Sequence, residues 1–200
     1  MKKTCPWPRD DVLMVGYHDI EWGVPLHDDR KLFEFLVLDG FQAGLSWSTI
    51  LHKREDFRKA FRNFDPGKVA AFGKQDVERL MKDARIVRNR LKIKAAVTNA
   101  RAFIRIQQEF GSFDRFIWQF TGGRQLPNRW KSLKQIPVRT PQSDAMSKEL
   151  TTRGFSFVGS TICYAFMQAA GMVNDHLVYC YRHREVQHQH ENPNAKNSIY

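Results

Sequence analysis

Hydrophobic positions in this chain recur every three to four residues through most of its length, the period of an amphipathic helix. Asp28 reads as an N-cap for a helix over Lys31 to Leu38, with Leu32, Phe33, Phe35, Leu36 and Leu38 apolar. The stretch Asp39-Gly-Phe-Gln-Ala-Gly-Leu-Ser-Trp47 then interrupts the pattern. Ser46 can cap a second helix carrying Ile50, Phe57 and Phe61. Upstream, Asp10 or Asp11 can cap a short helix through His18. Downstream, Asp65-Pro66 opens a short helix over Val69 to Phe72, with proline at its first position. Gln75 to Asp83 forms another. A basic link from Ala84 to Lys92 leads into a long helix with Ile93, Ala96, Val97, Ala100, Phe103 and Ile104 at helical spacing.

Further on, Ser112 caps a helix with Phe116, Ile117 and Phe120. Ser143 opens one through Thr152, and Ser160 caps Thr161 to Ala170, with Gly171 as a stop. A last short helix should carry His176 and Cys180. Gly122 to Pro141 reads as a long surface loop, and the polar segment 183–200 as a disordered tail. No segment alternates with the period of a strand. The expected fold is all-α: eight to eleven short helices in a packed bundle other than a simple four-helix bundle. Residues 1–182 should form a single globular domain, or two helical lobes with the active site between them.

Charge changes this picture more than composition does. Charged residues make up 26% of the 200 and hydrophobic residues 42%, both ordinary, but the net charge is +11 and the pI near 9.8. An excess spread along the chain favours a folded basic face and a polyanion partner, most often nucleic acid. No apolar run approaches a membrane span, and no apolar stretch follows Met1-Lys2-Lys3, so a cytoplasmic protein with no membrane contact is expected. Three cysteines do not suggest a disulfide framework. Walker, Gly-x-Gly-x-x-Gly and Gly-x-Ser-x-Gly motifs are absent.

Three constellations carry candidate chemistry. His176 and Cys180 have i, i+4 spacing, and Cys5 with His18 supplies a second pair near the other end of the chain. Four such ligands suit tetrahedral zinc, but the spacing is no zinc-finger pattern, and on spacing alone buried cysteines beside hydrogen-bonded histidines fit better. Around the link before the long helix stand Arg85, Arg88, Arg90, Lys92 and Lys94, where a helix N-terminus can hold a phosphate. A solvated basic helix start reads the same way. Asp39 is balanced between a solvated residue before a turn glycine and a site residue. Tyr17, Trp22, Trp47 and Trp7 are core by default, yet their concentration near Asp39 in sequence suggests an aromatic pocket.

Four longer motifs narrow the alternatives. Tyr17-His-Asp-Ile-Glu-Trp-Gly-Val-Pro25, Gln42-Ala-Gly-Leu-Ser-Trp47, Phe157-Val-Gly-Ser-Thr-Ile-Cys163 and Val173-Asn-Asp-His176, in this order, resemble the bacterial DNA-3-methyladenine glycosylase I family from Cys5 to about Cys180. The resemblance implies a helix-hairpin-helix glycosylase fold and one structural zinc per chain, held by Cys5, His18, His176 and Cys180. It implies a hairpin around Ile86 to Lys92 that grips double-stranded DNA through Arg88, Arg90 and Lys92. Leu45, beside Gly44, would enter the duplex, and Tyr17, Trp22 and Trp47, with Trp7 nearby, would line the pocket for a flipped base contacted by Asp39. The expected activity is hydrolytic removal of N3-methyladenine from alkylated DNA by a monomer, releasing free 3-methyladenine, with water as nucleophile and no lyase step.

Two positions depart from the pattern. A family member carries glutamate where this chain has Asp39, and glycine is common where it has Arg85. Arginine would be strained there at positive φ, and otherwise would add a phosphate contact. Two competing readings share parts of the pattern: a lesion-sensing DNA-binding module of the same fold, and a zinc-stabilised helical interaction protein with a merely solvated basic face.

Overall fold

The computed structural model describes residues 2–191, and among these it holds eleven α-helices, three single 3-10 turns and one two-residue parallel β-bridge. Helix α1 spans Val12–Ile20, with Asp11 accepting from the backbone N–H groups of Leu13 and Met14. Helix α2 spans Asp29–Gln42, capped by Asp28. It is buried continuously from Leu32 to Phe41, which makes it the central rod of the fold. Around it pack α3 (Trp47–His52), α7 (Arg90–Phe110), α8 (Phe113–Ile117) and α10 (Ser160–Ala169).

Helix α2 runs further than the sequence pattern indicates. Asp39 and Gly40 lie inside it, not in a loop, and the chain turns only after Gln42. The expected helix through Phe57 and Phe61 is two, α3 and α4 (Arg54–Ala60), separated at Lys53. Helices α5 (Pro66–Ala70) and α6 (Lys74–Lys82) lead to the link before α7, where Asn89 provides the cap. Helix α9 (Pro141–Thr152) begins two residues before the expected Ser143. Thr140 is its cap, and the Ser143 side chain bonds back to the Thr140 N–H. Gly159, not Ser160, precedes α10.

The segment 122–141 is less superficial than expected. Leu126–Pro127 pairs with Val173–Asn174, and buried Gln125 donates to the carbonyls of Gly23 and Gly171. At Gly171 the backbone, at φ +67°, passes so close to Val24 that a Cβ there would sit 2.2 Å from the Val24 carbonyl carbon. This contact locks the end of α10 against the segment following α1.

Two expectations near the C-terminus are corrected. His176 and Cys180 lie in a turn, not on a helix, so their convergence does not come from helical periodicity. The expected disordered tail is helical as far as it is described: α11 spans Tyr181–Glu191. Val186 and His183 are buried, and the Asn174 amide donates to the His183 carbonyl. Residues 192–200 of the expected tail lie outside the described residues. No helix among the described residues is long and apolar enough to cross a membrane.

Candidate active site and metal cluster

Helices α1, α2, α3 and α10 enclose a cavity of about 230 Å³. It sits at the small end of ligand pockets, which run to several hundred Å³, and suits one fused ring better than a whole nucleotide. Tyr17 comes from the last half of α1, Trp22 from just beyond its end, Asp39 and Gln42 from α2, and Trp47 from the start of α3. Trp7, Met14, Ile136, Ala165 and Gln168 complete the lining. All four aromatics expected at the pocket are therefore present together. Trp7 meets Trp22 edge-on at 5.1 Å, and Tyr17 lies 5.0 Å from Trp47.

Five buried side-chain polar atoms lack a hydrogen-bond partner among the described residues, and three of them belong to this cavity's lining: Asp39 Oδ2, Trp7 Nε1 and Trp47 Nε1. Buried polar groups are normally paired, so one acceptor and two donors left open around one cavity point to a polar ligand. Asp39 is 2% exposed. Burial pushes its carboxyl well above the usual carboxylate range, and the Arg54 charge opposes that shift only in part. Burial likewise raises Tyr17, and the Asp39 charge adds to it.

Beside the cavity, Cys5, His18, His176 and Cys180 are all buried, with one ligand atom of each within 4.8 Å of the others. His18 Nε2 and His176 Nδ1 lie 3.2 Å apart, Cys180 Sγ is 3.5 Å from His18 Nε2, and Sγ-to-His176 Nδ1 distances are 3.8 and 3.9 Å. A tetrahedron with zinc bond lengths has edges of about 3.3 Å between nitrogens and about 3.6 Å between nitrogen and sulfur. The outer nitrogens are already taken: His18 Nδ1 meets Asp19 Oδ1 at 2.7 Å, and His176 Nε2 meets the Trp22 carbonyl at 2.9 Å. These contacts orient both rings so that their free lone pairs converge with the sulfurs. Hydrogen bonds from Cys5, His176 and His18 hold the Cys180 thiol far below its usual range, so the cluster favours a thiolate. The four residues could hold a metal ion.

The expected DNA-facing residues divide. Gly44, at φ +78° with open space around it, and Leu45, 42% exposed, form the protruding turn after α2. Arg88 is exposed on the link before α7. Arg90 is exposed but forks onto Glu78. Arg85 is not at positive φ, so it is unstrained; its guanidinium forks onto Asp83 with two 2.9 Å bonds. Lys92 departs from the expectation of a phosphate contact. It is buried, and its ammonium donates to the carbonyls of Phe41 at 2.8 Å and Ala43 at 2.5 Å. It therefore satisfies the C-terminal end of α2 and ties the Gly44–Leu45 turn to the first turn of α7.

The sequence pattern did not single out Gln42, Met14, Ile136, Ala165 or Gln168 as lining residues. Gln42 and Ala165 fall in or beside quoted motifs, whereas Met14 and Ile136 carry no sequence signal. Nor did it single out Arg54, which bridges Glu21 and Glu34 beside the cavity.

A family model described as methyladenine glycosylase matches residues 7–183. The chain is 52% identical over 178 residues to DNA-3-methyladenine glycosylase 1 of Escherichia coli K12, covering 89% of this chain and 95% of that protein. It superposes on a crystal structure of 3-methyladenine DNA glycosylase I with a TM-score of 0.88 at 51% identity, covering 90% of this chain and 98% of that one. It also matches a tyrosine-to-phenylalanine variant of a 3-methyladenine DNA glycosylase I in complex with 3-methyladenine, at 36% identity and a TM-score of 0.87 over 89% of this chain and 96% of that one.

Proposed function

The chain belongs to the methyladenine glycosylase family, and on that premise we propose that it flips N3-methyladenine out of duplex DNA and hydrolyses its glycosidic bond. The observation that carries this reading is the aromatic cavity in which Asp39 Oδ2 and two indole N–H groups are buried without partners.

N3-methyladenine in DNA is a cation. When the bond from C1′ to the base breaks, the electron pair stays with the base and neutralises it, so no proton has to be delivered to the leaving group. Water supplies the oxygen that replaces the base on C1′, and its surplus proton passes to solvent. The protein's task is to extrude the nucleotide, bind the cationic ring and let water reach C1′. Tyr17, Trp22 and Trp47 offer electron-rich faces, worth about 2 kcal/mol towards a desolvated cation. The positive charge of the bound ring favours the ionised form of Asp39, which then supplies a charge-assisted contact that neutral adenine engages less strongly. No lysine among the described residues lines the cavity, which supports a water nucleophile and no lyase step; a borohydride-trapped adduct with DNA would contradict this.

Leu45 fills the space left in the duplex, and Arg88, with the exposed N-terminus of α7, holds the backbone. Arg90 can join only by giving up Glu78. Cys5, His18, His176 and Cys180 hold a structural zinc ion, which joins the two ends of the folded chain; four protein ligands leave no position for a reacting water. Chelation should lower Tm, and Cys180→Ala should damage folding; a stably folded, metal-free Cys180→Ala protein would refute the assignment. The enzyme acts as a monomer in the cytoplasm.

The deciding experiment follows free 3-methyladenine released from methylated duplex DNA. Release by the wild-type protein is expected. Salt-sensitive DNA binding without release would favour a lesion-sensing module instead.

A further inference from the structure

Asp175 is buried at 1% exposure next to the metal cluster, and its carboxylate receives four side-chain donors. Asn128 Nδ2 and Trp130 Nε1 reach Oδ1 at 2.7 and 2.8 Å, and the Tyr164 hydroxyl and Gln168 Nε2 each reach Oδ2 at 2.7 Å. Two carboxylate oxygens offer about four lone-pair positions, and here all are filled. Trp130 can only donate, and the other three side chains turn a donor atom towards the carboxylate.

That fixes a choice an amide side chain otherwise leaves open. Gln168 turns its NH₂ towards Asp175, which leaves its carbonyl oxygen on the other branch of the amide, with no donor among the described residues. Gln168 lines the base cavity, and so does Ala165, one turn earlier on the same face of α10.

We propose that Asp175 locks the Gln168 amide so that Oε1 acts as a hydrogen-bond acceptor in the base cavity and selects a base bearing an exocyclic amino group over one bearing a carbonyl. The inference rests on the excision reading for its substrate, but its physical content is a donor–acceptor pattern. An amine meeting Oε1 is satisfied; a carbonyl in that place is desolvated against another acceptor. Gln168 contacts the ligand, and Asp175 is the positioning residue behind it.

The test is equilibrium binding of two free bases, 3-methyladenine and 3-methylhypoxanthine, which differ by an amino group against a carbonyl, to wild type, Gln168→Leu and Asp175→Asn. Wild type should prefer 3-methyladenine by about 10-fold or more, as expected where the wrong base leaves polar groups unpaired. Gln168→Leu should weaken 3-methyladenine and not 3-methylhypoxanthine, bringing the ratio to within about 2-fold. Asp175→Asn, which frees the amide to flip, should narrow the ratio while Gln168 is intact. Because Asp175 also holds Tyr164, Asn128 and Trp130, that variant counts only if it keeps the wild-type Tm, and Gln168→Leu decides alone if it does not. An unchanged ratio in Gln168→Leu, a wild type without preference, or a wild type that binds neither base overturns the proposal. The readout needs no turnover, so failure of base release from methylated DNA is a separate result that bears on the excision reading.

Discussion

Two buried carboxylates on one helix have opposite surroundings. Glu34 and Asp39 both lie on α2, exposed by 6% and 2%. Glu34 Oε1 receives the Arg54 guanidinium at 2.5 Å and Arg58 at 2.8 Å, and Arg54 also binds Glu21 at 2.8 Å. Asp39, five residues on, has an oxygen with no partner and faces the aromatic cavity. The first is a completed structural network that ties α2 to α4 and the end of α1. The second keeps an unmet electrostatic demand beside a cavity where a cationic ring can meet it. Burial alone separates neither residue from the other; the count of partners does.

That contrast can be broken from either side. Glu34→Gln should have the largest effect, since it leaves buried Arg54 undercompensated: a loss of about 3 kcal/mol in unfolding free energy by denaturant titration, with activity per folded molecule retained. Asp39→Asn should do the reverse. Base release should fall about 100-fold, or about 2.7 kcal/mol of barrier, while the free protein's Tm rises.

The sign of the second effect follows from proton linkage. The Asp39 carboxyl titrates higher in the folded chain than in the unfolded one. Between those two values the folded state holds the extra proton, so this group makes stability fall as pH rises from the ordinary carboxylate range to its raised value, with a plateau above. Asp39→Asn should remove that slope, measured by Tm against pH.

Lys92→Met should come next. The freed carbonyls of Phe41 and Ala43 should destabilise the fold by about 1–3 kcal/mol. Base release should fall with little change in the salt slope of DNA binding, because this lysine is spent inside the protein; a full phosphate contact would lower that slope by about one. Arg85→Ala should change least, with Tm unmoved, since the Arg85 side chain is largely exposed and its removal opens Asp83 to water.

The elements set by local chemistry were legible in the sequence. Asp11, Asp28, Ser46, Ser112 and the Asp65-Pro66 pair each cap the helix that their position predicts. What escaped was decided through space. Gly40 read as a break, but packing on both sides carries α2 through it, and Lys92 from α7 closes its end. A lysine's charge is visible in sequence; where its long stem leads is not. His176 and Cys180 do converge with Cys5 and His18, but from a turn, and the helical spacing that suggested the pair was the wrong reason. Composition alone made α11 look disordered, whereas Val186 and the His183 contacts with Asn128 and Asn174 hold it. Each pocket aromatic read as core by default, but their concentration near Asp39 in sequence suggested a pocket, and the structure gathers them with Asp39 around one cavity.

The most direct test of the central claim is the carboxyl ¹³C titration of Asp39 in the free protein, assigned with Asp39→Asn. A midpoint well above the ordinary carboxylate range is expected, as burial without a partner requires. A midpoint at or below that range would mean that Asp39 is already paired or solvated, and the unmet demand on which base recognition is built would not exist.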